Sequence, residues 1–409
     1  QNWHYSAWYD NPYMMAYEKL QSIEQNKMNA SVSASYKLFQ GAKLMLRNGF
    51  DLYSNEEVKR NPPGIFSTRG WHARGMYSVD NFTGHSLNSD LLFSINRKVG
   101  DFTIDGLAGG TIYYFKDKNL FARTRNGITI PGYYSLYASV ERPDVSAYMN
   151  RKQVNSLFGK ASVSWKNRVF VDVTGRNDWS STLPKATRSY FYPSVGSSIV
   201  LSEFFRMPHW IDFLKMRGSW AVSKMDLGVY ATNQTYSITT AAWENLNAAT
   251  YPASISTGNV KPETNRTWEI GTSAYFLKKR LRADVTYYNK YNYNIQRRAS
   301  ISSMSGFTST LVNIDETYVR RGWEVSLDAT VFKKAKFQWE TGLNWSKSHR
   351  FYHSLDPNYS ADNLWTKKGG RVDVFADYYW ERDNRGNLIH REDGLPIYSD
   401  YRKLYGFRD

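Results

Sequence analysis

The sequence predicts an all-β fold: part of a membrane-spanning, up-and-down antiparallel β-barrel with about twelve strands and long extracellular loops. Three observations support this fold class. Apolar and polar residues alternate over long segments, the connections between these segments are short and long in turn, and aromatic residues make up 16% of the 409 residues while hydrophobic residues reach only 41%. Aromatic side chains in such excess are typical of a surface between water and an apolar medium. No segment has the roughly 18 continuous apolar residues of a membrane helix.

The alternation has the period of a β-strand. Residues 28–38 alternate between apolar and polar over their whole length. Further along, Trp323 and Leu327 lie on the apolar side of one segment, and Trp339 and Leu343 lie on the apolar side of the next. Strict alternation predicts strands with one apolar and one hydrated face. We expect these four side chains to face lipid, with aromatic residues at both ends of the apolar face.

The lengths of the connections alternate as well. The predicted strand pairs are 28–38 with 42–53, 87–99 with 102–115, 151–165 with 168–177, 190–201 with 214–222, 264–276 with 281–295, and 317–332 with 337–349. Long connections fall at 54–86, 116–150, 178–189, 223–263, 296–316 and 350–409. In an outer-membrane barrel, short and long connections alternate in this way, with tight periplasmic turns and long outer loops. A soluble β-sandwich does not require such alternation. Candidate strands at 132–140 and 229–239 are interpreted as hairpin arms inside long loops.

Composition excludes several classes of function. The chain has no cysteine, which excludes disulfides, cysteine-ligated metals and a cysteine nucleophile. The net charge of +16 is dispersed and contains no long cationic run. Aromatic residues recur along the whole chain, whereas a nucleic-acid stacking platform clusters them on a few strands, so we expect no nucleic-acid partner. Lysine and arginine near strand ends suit contact with outer-membrane lipid or lipopolysaccharide.

No catalytic or metal site is expected. His349 and His353 are four residues apart, but the glutamate of the zinc-binding HExxH motif is missing. The acidic residues Glu324, Asp328 and Glu340 fit the wall of a hydrated lumen better than an acid/base pair. No nucleophile elbow or phosphate-binding glycine motif is present. We therefore expect neither an enzyme nor a cofactor.

Five residues of the long loops are candidates for ligand contact. Exposed aromatic rings can stack on sugars or hold peptide side chains, and nearby arginine can donate hydrogen bonds. Packing within the loops is the alternative role for each of them. The candidates are Trp71, Trp179, Trp243, Trp365 and Arg188.

Six blocks of sequence resemble one known family. In chain order, they are similar to the patterns R-x-D-x-S-S, F-P-S-x-G, L-K-x-R-G-S-[WY], G-N-x-L-K-P-E-x-T, E-x-G and R-L-x-x-D-x-x-Y-Y. The blocks are 176–181, 191–196, 214–220, 258–264, 268–271 and 280–288. The chain thereby resembles the SusC/RagA-like TonB-dependent transporters of the Bacteroidota outer membrane. It departs from the family at 312–322, where N-x-G repeats are usual.

The resemblance implies a location and an activity. Residues 1–409 would form part of a barrel of 22 strands in a Gram-negative outer membrane, with no plug domain in this chain. The strands missing from the barrel would come from elsewhere, because open sheet edges in lipid leave backbone groups unpaired. The family pattern implies active import of oligosaccharides or peptides, a SusD-like surface lipoprotein as partner, and energy from TonB through the plug. The alternatives are a siderophore or cobalamin receptor, a passive porin or adhesin barrel, and a barrel enzyme.

Overall fold

The computed structural model describes residues 10–67, 70–243, 246–334, 336–361, 366–399 and 403–407. Its main element is one sheet of twelve antiparallel strands, in which each strand pairs with its neighbours in sequence. The strands are β1 (Leu20–Phe39), β2 (Ala42–Asn61), β3 (Met76–Val99), β4 (Phe102–Ile128), β5 (Ser139–Trp165), β6 (Val169–Ser180), β7 (Ser189–Val200), β8 (Ile211–Met225), β9 (Glu263–Phe276), β10 (Leu281–Tyr293), β11 (Thr317–Lys334) and β12 (Phe337–Ser354). This up-and-down order confirms the predicted fold class.

The remaining elements are small and lie outside the sheet. One helix, α1 (Pro12–Tyr17), begins after Asn11, whose side chain accepts a hydrogen bond from the Tyr13 amide. Among the described residues, no helix has the length and apolar character needed to cross a membrane. The 3₁₀ turns are Leu136–Ala138, Leu201–Glu203 and Ser303–Ser305, and the short strands are Ile65–Ser67 with Gly70–His72, Ser237–Trp243 with Leu246–Thr250, Ser254–Ser256 with Ser309–Ile314 and Ile295–Ser300, and Val374–Asp377 with Lys403–Phe407.

The strands extend further into the predicted loops than alternation indicated. The 116–150 loop consists mostly of strand, because β4 continues to Ile128 and β5 already begins at Ser139. The hairpin arm predicted at 132–140 is therefore wrong: that segment holds a 3₁₀ turn and the start of β5. The arm predicted at 229–239 overlaps a real hairpin formed by Ser237–Trp243 and Leu246–Thr250.

All short connections lie at one end of the sheet, because consecutive antiparallel strands reverse direction. The first of them is the two-residue turn 40–41, in which Gly41 adopts a φ of +83°. The long connections 62–75, 129–138, 181–188, 226–262 and 294–316 lie at the opposite end. The predicted alternation of short and long connections holds with one exception: 201–210 at the short-turn end has ten residues, more than the eight of 181–188 at the loop end.

One face of the sheet is apolar across all twelve strands. Residues that are register partners on neighbouring strands lie on the same face of the sheet. On the apolar face, one row of such partners is Leu46, Leu91, Gly110 and Leu157. These side chains are not covered by a second layer among the described residues: Leu157 is 60% exposed. In water, such a surface would cost about 25 cal/mol per Å². The same surface is stable against lipid tails.

Aromatic rings lie at both ends of the apolar face. Toward the long loops, Trp268, Tyr287 and Trp323 form a continuous row across β9, β10 and β11, with centroid distances of 5.5 and 4.9 Å. At the short-turn end, Phe332 and Phe337 are 5.7 Å apart. Two such girdles match the two interfaces of a bilayer. Trp323, Trp339 and Leu343 are exposed and Leu327 is partly exposed, as expected for that face.

Candidate functional site: the polar face of the sheet

The opposite face of the sheet carries a row of polar side chains across five strands. Arg47, Asp90, Thr111, Ser156 and Asp178 are successive register partners on β2 to β6. Because cross-strand partners lie about 5 Å apart, their side chains can bond directly. On β2 to β5 the row lies in the half of each strand nearer the short turns, and on the shorter strand β6 it lies near the loop end.

Asp90 is the centre of the first network. It is 3% exposed and accepts hydrogen bonds from Arg47 Nε and Nη2 at 2.9 and 2.6 Å. Thr111 Oγ1 donates to its other oxygen at 2.7 Å. A buried carboxylate is tolerated when it is paired and hydrogen-bonded in this way.

Asp178 is the centre of the second network. Arg176, two residues away on the same face, donates through Nε to Asp178 at 2.8 Å and through Nη2 to Ser156 at 2.9 Å. The Tyr192 hydroxyl donates to the second carboxylate oxygen at 2.6 Å. The Arg176 guanidinium also lies 5.4 Å from the centre of the Phe158 ring. The Arg176–Asp178 ion pair therefore joins three strands, β5 through Arg176 and β7 through Asp178.

A third network connects the sheet to the loop 226–262. Asp226 follows the last residue of β8, and the Lys152 ammonium on β5 lies 2.7 Å from its Oδ2. Ser180 at the end of β6 donates to the same oxygen at 2.5 Å. The first residue of the loop is thereby held over the polar face.

These networks line one concavity of about 510 Å³. Its charged groups balance: three cations face three carboxylates, and no histidine lines it. Such a surface offers hydrogen bonds to polar, largely uncharged ligands. The charged lining residues are Arg47, Lys152, Arg176, Asp90, Asp178 and Asp226.

An apolar cluster from several loops packs beside the concavity. Leu183, Leu227, Val260 and Leu311 come from three connecting segments and meet the Tyr190 ring on β7. In addition, Thr187 Oγ1 donates to the Val260 carbonyl at 2.6 Å. All five side chains of this cluster are buried, so the loops at this end form a packed layer.

A further ion pair lies on the polar face of β8 to β10. The Arg217 guanidinium donates to both oxygens of Asp284 at 2.9 and 2.6 Å, and also to Ser273 and Thr286. It lies directly over Gly271, where an added Cβ would come within 2.8 Å of it. The forked geometry of arginine suits this bidentate contact.

The segment after β12 is fastened to the turn before β11. Asp356 accepts hydrogen bonds from the backbone amides of Asp315, Asn358 and Tyr359 at 2.7 to 3.0 Å. Burial tends to raise the pKa of Asp356, but these three donors outweigh it and hold the pKa below its ordinary value. Ser360 Oγ donates to the buried Glu316 carboxylate at 2.5 Å. This loop is therefore held by polar contacts.

Two of the predicted ligand-contact residues lie close together. Trp179 and Arg188 line a concavity of about 330 Å³ at the loop end of β6, beside the middle of β5, and Trp179 shares with Asn155 the apolar face that carries Leu157. Their role in ligand contact stays a prediction. Trp71 and Trp243 lie in short loop strands, but their side chains and all of Trp365 lie outside the described residues.

The other residues considered from sequence lie apart from the concavity. Asp328 and Glu340 line a separate hollow of about 370 Å³ near the short turns, together with Arg282. His353 packs edge-on against the Tyr291 ring at 5.4 Å. Within the described ranges, no group of three or more metal-ligating side chains is assembled.

Some of the residues that sequence reasoning missed belong to the motif blocks, whereas Arg47, Asp90, Lys152 and Asp226 of the concavity lie outside them. Arg176 and Asp178 come from one block and bond Tyr192 of the next. Arg217 of the third block bonds Asp284 of the last, 67 residues later. The sequence signal for these ion pairs was that several blocks place a charged residue on the polar side of a strand. Which cation pairs with which carboxylate depends on the register between strands, and a single sequence does not specify that register.

Comparisons with known proteins agree with the fold. A family model described as "TonB dependent receptor-like, beta-barrel" matches residues 2–405. The TonB-dependent receptor P3 of Formosa agariphila is 23% identical over 345 residues, which cover 83% of this chain and 34% of that receptor. The TonB-dependent receptor SusC of Bacteroides thetaiotaomicron is 24% identical over 255 residues, which cover 59% of this chain and 24% of SusC. The chain thus spans about a third or less of these relatives.

Solved structures show the same architecture. The RagAB peptide transporter superposes with a TM-score of 0.79 at 16% identity, covering 97% of this chain and 45% of that one. The ferric-catecholate import receptor Fiu of E. coli K12 superposes with a TM-score of 0.53 at 10% identity, covering 85% and 50%. The family match over nearly the whole length, together with the twelve-stranded sheet, places this chain in the TonB-dependent receptor-like β-barrel family.

Proposed function

We propose that this chain forms wall and outer loops of an active importer in the Gram-negative outer membrane, with oligosaccharides or peptides as cargo. Residues 1–409 would belong to a single barrel domain, with the long loops outside the cell. The chain would contribute binding surface and perform no covalent chemistry.

The observation that carries this proposal is the contrast between the two faces of the sheet. One face is apolar and uncovered, and the other holds paired ions such as the half-exposed Arg47 with the buried Asp90. A wall between lipid and a hydrated lumen needs this contrast. The loop layer at one end supports a polar vestibule above the lumen, because Asp226 and Val260 hold two loops there.

Closure of the barrel requires further strands. Among the described residues, β1 pairs on one side only, and the second edge of β12 bonds only residues 369–372, near its loop end. Unpaired backbone groups in lipid cost several kcal/mol each, so we propose that strands outside this sequence complete the wall. A plug domain, TonB and a SusD-like surface lipoprotein would be the other components, by analogy with SusC and RagAB.

The likeness to known structures favours this function over the alternatives. The RagAB transporter, described as a peptide importer, superposes better than the siderophore receptor Fiu. The balanced charges of the concavity also fit a polar, largely uncharged cargo better than an anionic iron chelate. A porin or adhesin barrel would need neither plug nor energy.

A transport assay with the full-length protein in its native host tests the proposal. Deleting the gene should abolish uptake of either labelled oligosaccharides or labelled peptides, and a protonophore should abolish it in the wild type. A lipoprotein should co-purify in mild detergent. Uptake that persists without proton-motive force would indicate a porin, and loss of ferric-siderophore uptake alone would indicate the receptor alternative.

A further inference from the structure

Three cations lie together on the apolar side of the sheet, where the apolar band ends toward the long loops. Lys116 and Lys118 lie on β4 and Arg151 on β5, and we call them the outer basic site. Lys116 and Arg151 are direct cross-strand partners. They share a face with Ile112 and Leu157, because side chains two residues apart on a strand point the same way.

The outer basic site lies at headgroup depth. Immediately before it, Phe50, His85 and Tyr114 lie side by side on β2, β3 and β4, with centroid distances of 6.4 and 6.1 Å. Such rings mark the membrane–water interface. Lys116 follows Tyr114 by two residues, so its ammonium lies at the level of lipid phosphates.

The three cations have no anionic partner within the part of the chain that the structure describes. On the polar face, by contrast, Arg47 and Arg217 each lie 2.6 Å from a carboxylate. Like charges directly opposite each other destabilise a sheet. An external anion between Lys116 and Arg151 would remove this repulsion.

The surface next to the cations indicates the kind of anion. Beyond them, toward the loops, a concavity of about 550 Å³ is lined by Lys118, Leu120, Ala147 and Met149. A headgroup that ends at its phosphate would leave these apolar groups in water. A phosphorylated glycolipid would contact all three parts of this surface. Its acyl chains would lie on the apolar band, its phosphate on the cations, and its sugar rings on the concavity.

We propose that the outer basic site binds lipopolysaccharide of the outer leaflet through its phosphate groups. This inference rests on the proposed outer-membrane location and orientation. It adds a defined lipid site on the outside of the barrel, apart from the cargo concavity on the inside.

Lipid retention by the full-length protein tests the inference. Wild type and the triple variant Lys116→Gln, Lys118→Gln, Arg151→Gln are purified from outer membranes, and lipid A per protein is measured by mass spectrometry. We expect a loss of roughly tenfold or more, because each cation near an anionic lipid surface contributes substantially to binding. The double variant Lys116→Arg, Lys118→Arg should retain lipid as wild type does.

A charge-matched control distinguishes the loss of this particular site from a general loss of positive charge. Lys37, Lys43 and Lys98 are exposed on the polar face near the short turns, and replacing all three with glutamine should leave retention unchanged. Migration on unheated gels reports that each variant is folded. Equal retention by the outer basic site variant, or equal binding of phosphorylated and dephosphorylated lipid A by the wild type, would overturn the inference. Absence of the wild type from the outer membrane would instead refute the proposed function.

Discussion

Replacing Asp178 with alanine is expected to lower the free energy of unfolding by about 2–3 kcal/mol. The substitution leaves the Arg176 guanidinium without its partner and removes the acceptor of the Tyr192 hydroxyl. Full burial would place the cost at about 3–5 kcal/mol, but the Arg176 side chain is 38% exposed and water can solvate part of it. Denaturant unfolding of the full-length protein in lipid vesicles measures the change.

Two further variants separate the carboxylate network from a general effect of charge. Asp178→Asn keeps one acceptor oxygen and the volume of the side chain, so we expect about half of the loss. Asp172 lies on the same strand and face and forms an ion pair with Lys160. The Asp172 side chain in this pair is 48% exposed. Asp172→Ala should therefore change stability by about 0.5 kcal/mol or less. Equal effects of Asp172→Ala and Asp178→Ala would contradict the network.

Replacing Gly41 with alanine is expected to destabilise the first short turn by about 3 kcal/mol. Part of this loss, about 1–2 kcal/mol, comes from holding a residue with a Cβ at φ +83°. The rest comes from steric overlap, because the new Cβ would lie 2.2 Å from the carbonyl oxygen of Asn96. That oxygen belongs to the backbone of β3, so the neighbouring strand would have to move.

Gly100 provides the matched control for this prediction. It lies in the next short turn with a φ of +57°, and an added Cβ would meet no atom within 4 Å. Gly100→Ala should therefore show only the conformational cost of about 1 kcal/mol. The same vesicle unfolding experiment compares both variants. A Gly41→Ala protein as stable as the Gly100→Ala protein would show that the turn relaxes without strain.

Much of the fold could be predicted because lipid imposes a pattern on every strand. Residues 28–38 and the apolar positions around Trp323 alternate because one face meets hydrocarbon. The pattern is interrupted where the apolar band ends: Lys116 and Lys118 occupy outward positions of β4, although its backbone pairing continues to Ile128. The predicted strands were short for this reason, and part of β5 was mistaken for a loop.

The candidate site was much less predictable. Trp179 could be recognised as a loop-end aromatic residue, but its place on the face of Asn155 depends on strand register. The bond between Arg217 and Asp284 depends on three adjacent strands being in register over 67 residues of sequence. Charge and hydropathy of a single chain contain no record of that alignment.

The central claim is that lipid contacts one face of the sheet and water the other. The sequence contains no cysteine, so spin labels can be attached at introduced single cysteines in an otherwise cysteine-free full-length protein. Leu157 and Val173 represent the apolar face, and Lys160 and Asp172 the polar face, all on β5 and β6. We predict that dissolved oxygen relaxes labels at Leu157 and Val173 more strongly, and that a water-soluble nickel complex relaxes labels at Lys160 and Asp172 more strongly. Equal nickel accessibility at all four positions would contradict the membrane-spanning wall.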